Sequence, residues 1–286
     1  MKLALGTAQF GFHYGVANTD GQVTKSTAKH ILCRAKEAGV DTLDTAITYG
    51  ASEQCLGGAD VTDWRVVTKL PAVPEGCVNI AAWVNEQVLG SLNRLRVKHV
   101  TGLMLHRPNQ LLESKGQELW STIQTLKEKK IVEKIGFSIY DPEELELLWD
   151  DFQPDIIQAP YNIFDQRLKK SGWLSRLNYN GIEVHVRSIF LQGLLLMEAA
   201  QRPSQFGHWQ SLWDKWAEWL KDNSLSPLEG SLGTVMNEEM IDYSIVGVDS
   251  LEQLEEVLNV AKRGRFLPMP ESLYAKDSNL IDPTNW

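Results

Sequence analysis

Four side chains in this sequence have the chemistry to share one proton transfer. They are Asp44 and Tyr49 in LDTAITYG, Lys69 in RVVTKL, and His106 in LMLHRP. A phenol in water has a pKa of about 10, so alone it exchanges protons poorly at neutral pH. An adjacent ammonium favours the phenolate and lowers that value. Lys69 is expected to supply that charge, Asp44 to hold Lys69 charged and fixed, and His106 to orient a substrate oxygen or join a proton relay. Such a set suits reduction of a carbonyl, with hydride arriving at carbon while Tyr49 protonates oxygen. Taken singly, each residue has a plain reading: a turn cap, a strand-end lysine reaching solvent, a satisfied core histidine, a turn-packing tyrosine. Their joint occurrence where strands run out is what favours chemistry.

For the four to meet, the fold must bring those strand ends to one rim. Apolar β-rich runs are expected at 3–7, 40–44, 65–69, 100–106, 134–138, 155–158, 182–189 and 243–247. Amphipathic helical stretches fall at 26–38, 79–95, 116–129, 142–149, 166–177, 208–221, 227–236 and 250–262. Strand followed by helix throughout predicts an α/β chain closed into a single (β/α)8 TIM barrel. The alternative, a doubly wound open sheet, would carry a GxGxxG turn after its first strand, and GTAQFG lacks that pattern. One domain over 1–286 is expected, with 264–286 as an aperiodic C-terminal extension. Parallel barrels build their sites at the C-terminal ends of strands, which is where Asp44, Lys69 and His106 fall, with Tyr49 just beyond. Trp209, Trp213 and Trp216 share a helical face and predict core packing against the barrel, while Trp173 and Trp286 are candidates to line a pocket.

Composition narrows the partners. A length of 286 residues with 43% hydrophobic content supports one large core, and 23% interspersed charge argues against disorder. A net charge of −9 disfavours sequence-independent binding to nucleic acid, which needs cations facing phosphates. The longest apolar run, SIFLQGLLLM, is short of a bilayer span, and the polar start of the chain predicts no secretory leader, so a cytoplasmic protein without membrane contacts is expected. Cys33, Cys55 and Cys77 are odd in number and form no CxxC pair, which fits reduced thiols. Cys55 reads as a packed small hydrophobe. Oligomeric state has no signature here.

The stretch DTAITYGASEQCLG resembles the D-T-A-x-x-Y-G-x-S-E-x-x-L-G signature of the aldo-keto reductase superfamily, and VTKL and LMLHRP resemble the segments carrying its lysine and histidine. The similarity runs from GTAQFG to IVGVDSLEQLEE. It implies a TIM barrel, a small carbonyl substrate, a catalytic tetrad of Asp44, Tyr49, Lys69 and His106, and a nicotinamide cofactor, NADP(H) with NAD(H) as the alternative. By the same resemblance Thr7 approaches the nicotinamide ribose, Asp44 is a further cofactor contact, and Ser138 and Gln158 hold the carboxamide. Ser188, Phe190 and Gln192 form the pyrophosphate loop, and Gly247 lets the backbone approach the cofactor. Ile139 replaces an asparagine often found after the serine. Arg187 replaces the ring that stacks on nicotinamide, a place a guanidinium plane can take. At the adenosine end, where the family often offers a basic residue, stand Asp249, Ser250 and Gln253. A carboxylate suits a free ribose hydroxyl better than a phosphate, so tight NADPH selectivity is not expected. Ser250 and Gln253 also read as a capping box. Gln9, Phe10, Arg107 and Asn109 are candidate substrate contacts. The departures at Ile139, Arg187 and Asp249 motivate a second reading, a catalytically weak cofactor-binding regulatory or interaction protein. A metal-dependent hydrolase is disfavoured, because no HxH or HxxxH pair follows a strand.

Overall fold

The computed structural model describes residues 2–263 and 266–286, so positions 264 and 265 of the expected extension lie outside the described residues. Eight parallel strands close in sequence order into a barrel: β1 (Leu3–Gly6), β2 (Thr42–Asp44), β3 (Arg65–Leu70), β4 (Val100–Leu105), β5 (Val132–Ser138), β6 (Ile156–Pro160), β7 (Glu183–Arg187) and β8 (Tyr243–Gly247). The closing seam pairs β1 with β8 from Leu3↔Ser244 to Gly6↔Gly247. The larger helices between them are α1 (Lys25–Glu37), α2 (Ser52–Gly58), α3 (Ile80–Leu95) and α4 (Gly116–Glu128). Then come α5 (Glu143–Leu148), α6 (Arg167–Lys170), α7 (Trp173–Tyr179), α8 (Gln210–Asn223), α9 (Pro227–Met236) and α10 (Leu251–Arg263), with a short α11 (Ser278–Ile281) in the tail. Local chemistry sets their starts. Thr24 accepts from the Thr27 N–H, Asn79 accepts from the Ala82 N–H, and Ser226 with Glu229 forms a full capping box around Pro227. Each such cap contributes about 0.5–2 kcal/mol. The expected single helix over 166–177 is two, because Gly172 sits at φ +84° and breaks it. Among the described residues no helix is long and apolar enough to cross a membrane.

The two-residue period of a strand decides what points into the barrel. On β3, Arg65, Val67 and Lys69 share a face; on β7, Glu183, His185 and Arg187 do. At the bottom, Arg65 and Lys134 both meet Glu183 from across the barrel, and His185 joins them through Nε2. Glu183 is held well below the usual carboxylate range, near 2; burial opposes this, but the His185 and Lys134 contacts outweigh it. The middle layer is apolar, with Val67, Met104 and Ile156 packed together. The top layer is polar again: Asp44, Lys69, Ser138 and Gln158 are all buried.

A large apolar core lies between the strands and the helix ring, where α1 buries Ala28, Ile31, Leu32 and Ala35. A second cluster stands apart from it. Trp213 and Trp216 of α8 pack with Phe164, Phe206, Leu191 and Leu194, and the tail contributes Leu273, Leu280 and Ile281. The tryptophan stripe is therefore core, but it buttresses the segment after β7 and the C-terminal tail instead of the barrel wall. Trp173 is buried against Trp149, with its indole N–H on Glu146, and Trp286 packs on Phe206. Neither lines the large cavity described below, contrary to expectation, because each ring finds an aromatic partner in a core cluster.

Candidate active site

Lys69 and Asp44 form the centre. The Lys69 side chain is fully buried; its Nζ donates to both Asp44 carboxylate oxygens at 2.8 Å and to the Thr45 carbonyl at 2.9 Å. An ammonium has three N–H donors, and all three are spent here. Asp44 Oδ1 also accepts from Gln158 Nε2 at 2.6 Å, and Gln158 Oε1 accepts from the Ser138 hydroxyl at 3.5 Å. Burial lowers the Lys69 pKa, and Asp44 opposes the shift.

The signature residues around this pair are ties. The Ser52 hydroxyl donates within 2.9 Å of both Thr7 oxygens, and Thr7 Oγ1 donates to the Asp44 carbonyl at 2.9 Å, which locks β1 to β2. Glu53, 2% exposed, accepts from Thr68 Oγ1, Ser91 Oγ and Arg94 Nε, joining α2 to β3 and α3. Gly11 meets the Tyr49 loop backbone to backbone; a Cβ on Gly11 would stand 1.7 Å from the Tyr49 carbonyl oxygen. Only a residue without a side chain permits that approach.

Tyr49 lines the cavity, and among the described residues its hydroxyl makes no hydrogen bond. Its ring lies edge-on to Phe12 and His106, with the Lys69 ammonium 5.2 Å from its centroid. The expectation that Lys69 lowers the phenol pKa is corrected. Burial raises it first, Asp44 adds to the rise, and the opposing cation is Arg187. The reason is pairing: the Lys69 ammonium spends its three N–H donors on Asp44 and Thr45 and gives none to the phenol. His106 is pushed down to about 3, by burial first and then by the Lys69, Arg187 and Arg107 cations. It is a neutral imidazole at physiological pH. Thr48 Oγ1 lies 3.4 Å from its Nδ1.

From Tyr49 a cavity of about 740 Å³ runs to α10. Its walls include Thr7, Gln9, Asp44, Arg187, Ser188, Phe190, Gln192, Gly247, Asp249 and Gln253, all singled out in the sequence. The segment after β7 is unusual. Ser188, Leu191 and Gln192 take positive φ of 60°, 49° and 54°, followed by Gly193 at 90°. Each non-glycine residue there costs about 1–3 kcal/mol and persists only where surroundings enforce it. The enforcers are Asn162 Nδ2, which donates to the Ser188 carbonyl, and the aromatic buttress beneath Leu191 and Leu194. The N–H groups of Ile189, Phe190 and Gln192 donate to nothing among the described residues. Successive free amides in a turn form an anion-binding concavity. Over the cavity lies the β1–α1 loop: Asn18 Nδ2 donates to Asp249 at 3.0 Å, and the Ala17 N–H donates to the Gln192 carbonyl at 3.4 Å.

Several expected residues fall elsewhere. Phe10, expected to face the substrate, is off the cavity wall; it is 1% exposed and packs in the core. Ser138, Gln158, Lys69 and His106 stand behind or beside the cavity rather than on its wall, and Ser250 lies off it. Ser250 does cap α10 through the Gln253 N–H, but Gln253 Oε1 reaches the Asp249 N–H, so the capping box is shifted by one residue. Arg107 and Asn109 are exposed outside the cavity. Arg187 already lays its guanidinium over Tyr140, at 4.4 Å from the ring centroid, and donates to the Ile139 carbonyl. Sequence reasoning missed Tyr14, Asn18 and Tyr140. The signal available was FHYGVAN, a polar-aromatic run directly after the first strand.

Solved structures similar to this chain include the holo form of an aldo-keto reductase from Bacillus halodurans (TM-score 0.73, 19% identity, 95% of this chain and 89% of that one). A protein of Pseudomonas aeruginosa, provisionally assigned as an aldo-keto reductase, is also similar (TM-score 0.68, 20% identity, 92% and 90%). At these identities the likeness establishes the fold. Among curated proteins no match is found. The profile of the Aldo/keto reductase family matches residues 2–268, a span that holds every strand of the barrel and the whole Asp44–Tyr49–Lys69–His106 rim, and the chain therefore belongs to that family.

Proposed function

We propose that this protein reduces an aldehyde or ketone with a nicotinamide dinucleotide, Tyr49 serving as proton donor. The observation that carries the reading is Tyr49, on the wall of a dinucleotide-sized cavity beside a buried Lys69–Asp44 pair, its hydroxyl without a hydrogen-bond partner among the described residues. The cavity suits the cofactor: unspent amides at Ile189, Phe190 and Gln192 match its pyrophosphate, and Gly247 keeps the wall thin where Gln9 lies against it. When bound, the dinucleotide supplies a hydride to the carbonyl carbon. The protein does the rest. Burial keeps Tyr49 protonated at rest, which is the state a general acid needs. Arg187 favours the phenolate left after transfer. His106, neutral, donates from the ring nitrogen not facing Thr48 and orients the carbonyl oxygen.

At the far end Asp249 and Glu256 line the cavity, and Arg263, the cation there, is paired with Glu229. This supports NAD(H) over NADP(H). A second reading, cofactor binding with weak catalysis, draws on the Lys69 donors being fully spent. Tyr49→Phe decides between them. Turnover of an aldehyde panel with NADH should fall by about 100-fold or more, the scale of a lost general acid, while NADH fluorescence titrations stay within twofold. Equal turnover in Tyr49→Phe would refute the donor role. Cofactor binding with no consumption in the wild type would favour the second reading.

A further inference from the structure

Beside His106 the rim carries cationic charge that meets no anion in the described structure. Arg107 and Arg187 both stand over the Tyr140 ring, at 5.5 Å and 4.4 Å from its centroid. Among the described residues the Arg187 side chain donates only to the Ile139 carbonyl and the Ser188 hydroxyl, both neutral, and the Arg107 guanidinium makes no hydrogen bond or ion pair. Among the described residues neither forms an ion pair; Arg34, Arg65, Arg94, Arg167 and Arg263 each meet a carboxylate, while the other unpaired arginines, Arg96, Arg176 and Arg202, lie away from this rim, Arg176 and Arg202 on tryptophan rings. What sets Arg107 and Arg187 apart is that both stand over one ring beside the site, in a chain whose net charge is −9. A guanidinium stacked on an aromatic ring leaves its in-plane N–H groups open to a carboxylate or phosphate: Arg187 spends one donor on each terminal nitrogen and keeps the others, and Arg107 keeps its whole fork. Arg187 reaches the cavity wall and Arg107 stands outside it, so the pair straddles the step from cavity to mouth.

We infer that the carbonyl substrate carries an oxyanion, a carboxylate or a phosphate, which docks against Arg107 and Arg187 beside His106. The inference rests on the reductase reading above. The dinucleotide's own phosphates do not account for it, because the free amides that suit them lie along the segment after Arg187 and Arg107 lies off the cavity altogether. The oxyanion does not react; it fixes the carbonyl toward Tyr49 and so acts through substrate position. Both charges also disfavour protonation of His106, which keeps the imidazole neutral as an anion arrives.

The test uses the full chain with NADH and matched pairs: succinic semialdehyde against butanal for a carboxylate, glyceraldehyde 3-phosphate against glyceraldehyde for a phosphate. In at least one pair, kcat/KM for the charged member should exceed the neutral one by about tenfold or more, and the ratio should shrink as salt rises. The pair showing the preference names the oxyanion. In Arg107→Met that ratio should drop at least threefold, chiefly through KM, and Arg107→Lys should restore part of it. NADH titration reports separately that the variants bind cofactor. Equal or lower kcat/KM for both charged members, or an unchanged ratio in Arg107→Met, overturns this inference and leaves the reductase reading standing. If no carbonyl of either charge is consumed, both readings fall together.

Discussion

Replacing Lys69 with methionine removes a cation but leaves Asp44, 4% exposed, as a buried carboxylate whose remaining side-chain partner is Gln158 Nε2. Breaking a buried ion pair from one side costs about 3–5 kcal/mol, most of it the penalty of the orphaned charge. The Thr45 carbonyl also loses its donor, which adds about 1 kcal/mol. Lys69→Met should therefore lose about 4–6 kcal/mol. The double variant Lys69→Met, Asp44→Asn removes the stranded charge, and the new amide can still accept from Gln158 through its carbonyl oxygen. It should recover about half of that loss. Urea unfolding followed by tryptophan fluorescence measures both, with ten tryptophans as probes. The Asp44→Asn single variant adds a signed check. It leaves the Lys69 amine buried, and burial already favours its neutral form. The unfolded chain then binds the proton more readily, so the stability of this variant should rise with pH toward the ordinary lysine range. A double variant no more stable than Lys69→Met, together with a pH-independent Asp44→Asn, would refute the account of this pair as mutually compensating buried charges.

Gly11→Ala should misplace Tyr49, because the new methyl would collide with the Tyr49 carbonyl; turnover should drop by about tenfold or more with the fold retained by circular dichroism, since a 1 Å misplacement costs on that scale or beyond. His106, neutral down to about 3, should leave kcat/KM without a limb near pH 6.5; a limb there that disappears in His106→Gln would contradict the assignment. The same shift sets a stability trend. The unfolded imidazole takes a proton below its ordinary value of about 6.5 and the folded one does not, so its stabilising share is full above that pH and is lost as pH falls toward 3. Asp249→Asn removes one negative charge from the adenosine end while keeping an acceptor for Asn18; NADPH binding should tighten by about tenfold, within the Coulomb scale for near charges, and NADH binding should change little. Titration of both cofactors checks this, and a wild-type preference for NADPH above tenfold would defeat it.

The architecture was legible because local rules and global fold agree. Alternating apolar runs and amphipathic stretches can bury their faces in few ways, and strand–helix repetition leaves the barrel. The catalytic candidates were legible for the same reason: a strand end is a local feature, and a parallel barrel sends all strand ends to one rim. Thr7, Arg187, Gly247 and Asp249 reached the cavity from positions that matched a known pattern, and Gln9 reached it from its place just after the first strand. Phe10 did not, because adjacent residues in a 3-10 turn point about 120° apart, and that turn was invisible in GTAQFG.

What tertiary structure alone decided is how charges divide. The sequence shows that Lys69 and Tyr49 are near; it is silent on whether the ammonium gives its three protons to Asp44 and Thr45 or to the phenol. The left-handed run after β7 is equally hidden, because Ser188, Leu191 and Gln192 have no intrinsic reason to adopt it, and Asn162 with the aromatic cluster beneath imposes it from far along the chain. Hydrophobic periodicity is a property of a short window of residues. Hydrogen-bond partners, burial and the field at a side chain are set by groups tens or hundreds of residues away, and only the folded packing brings those groups into reach.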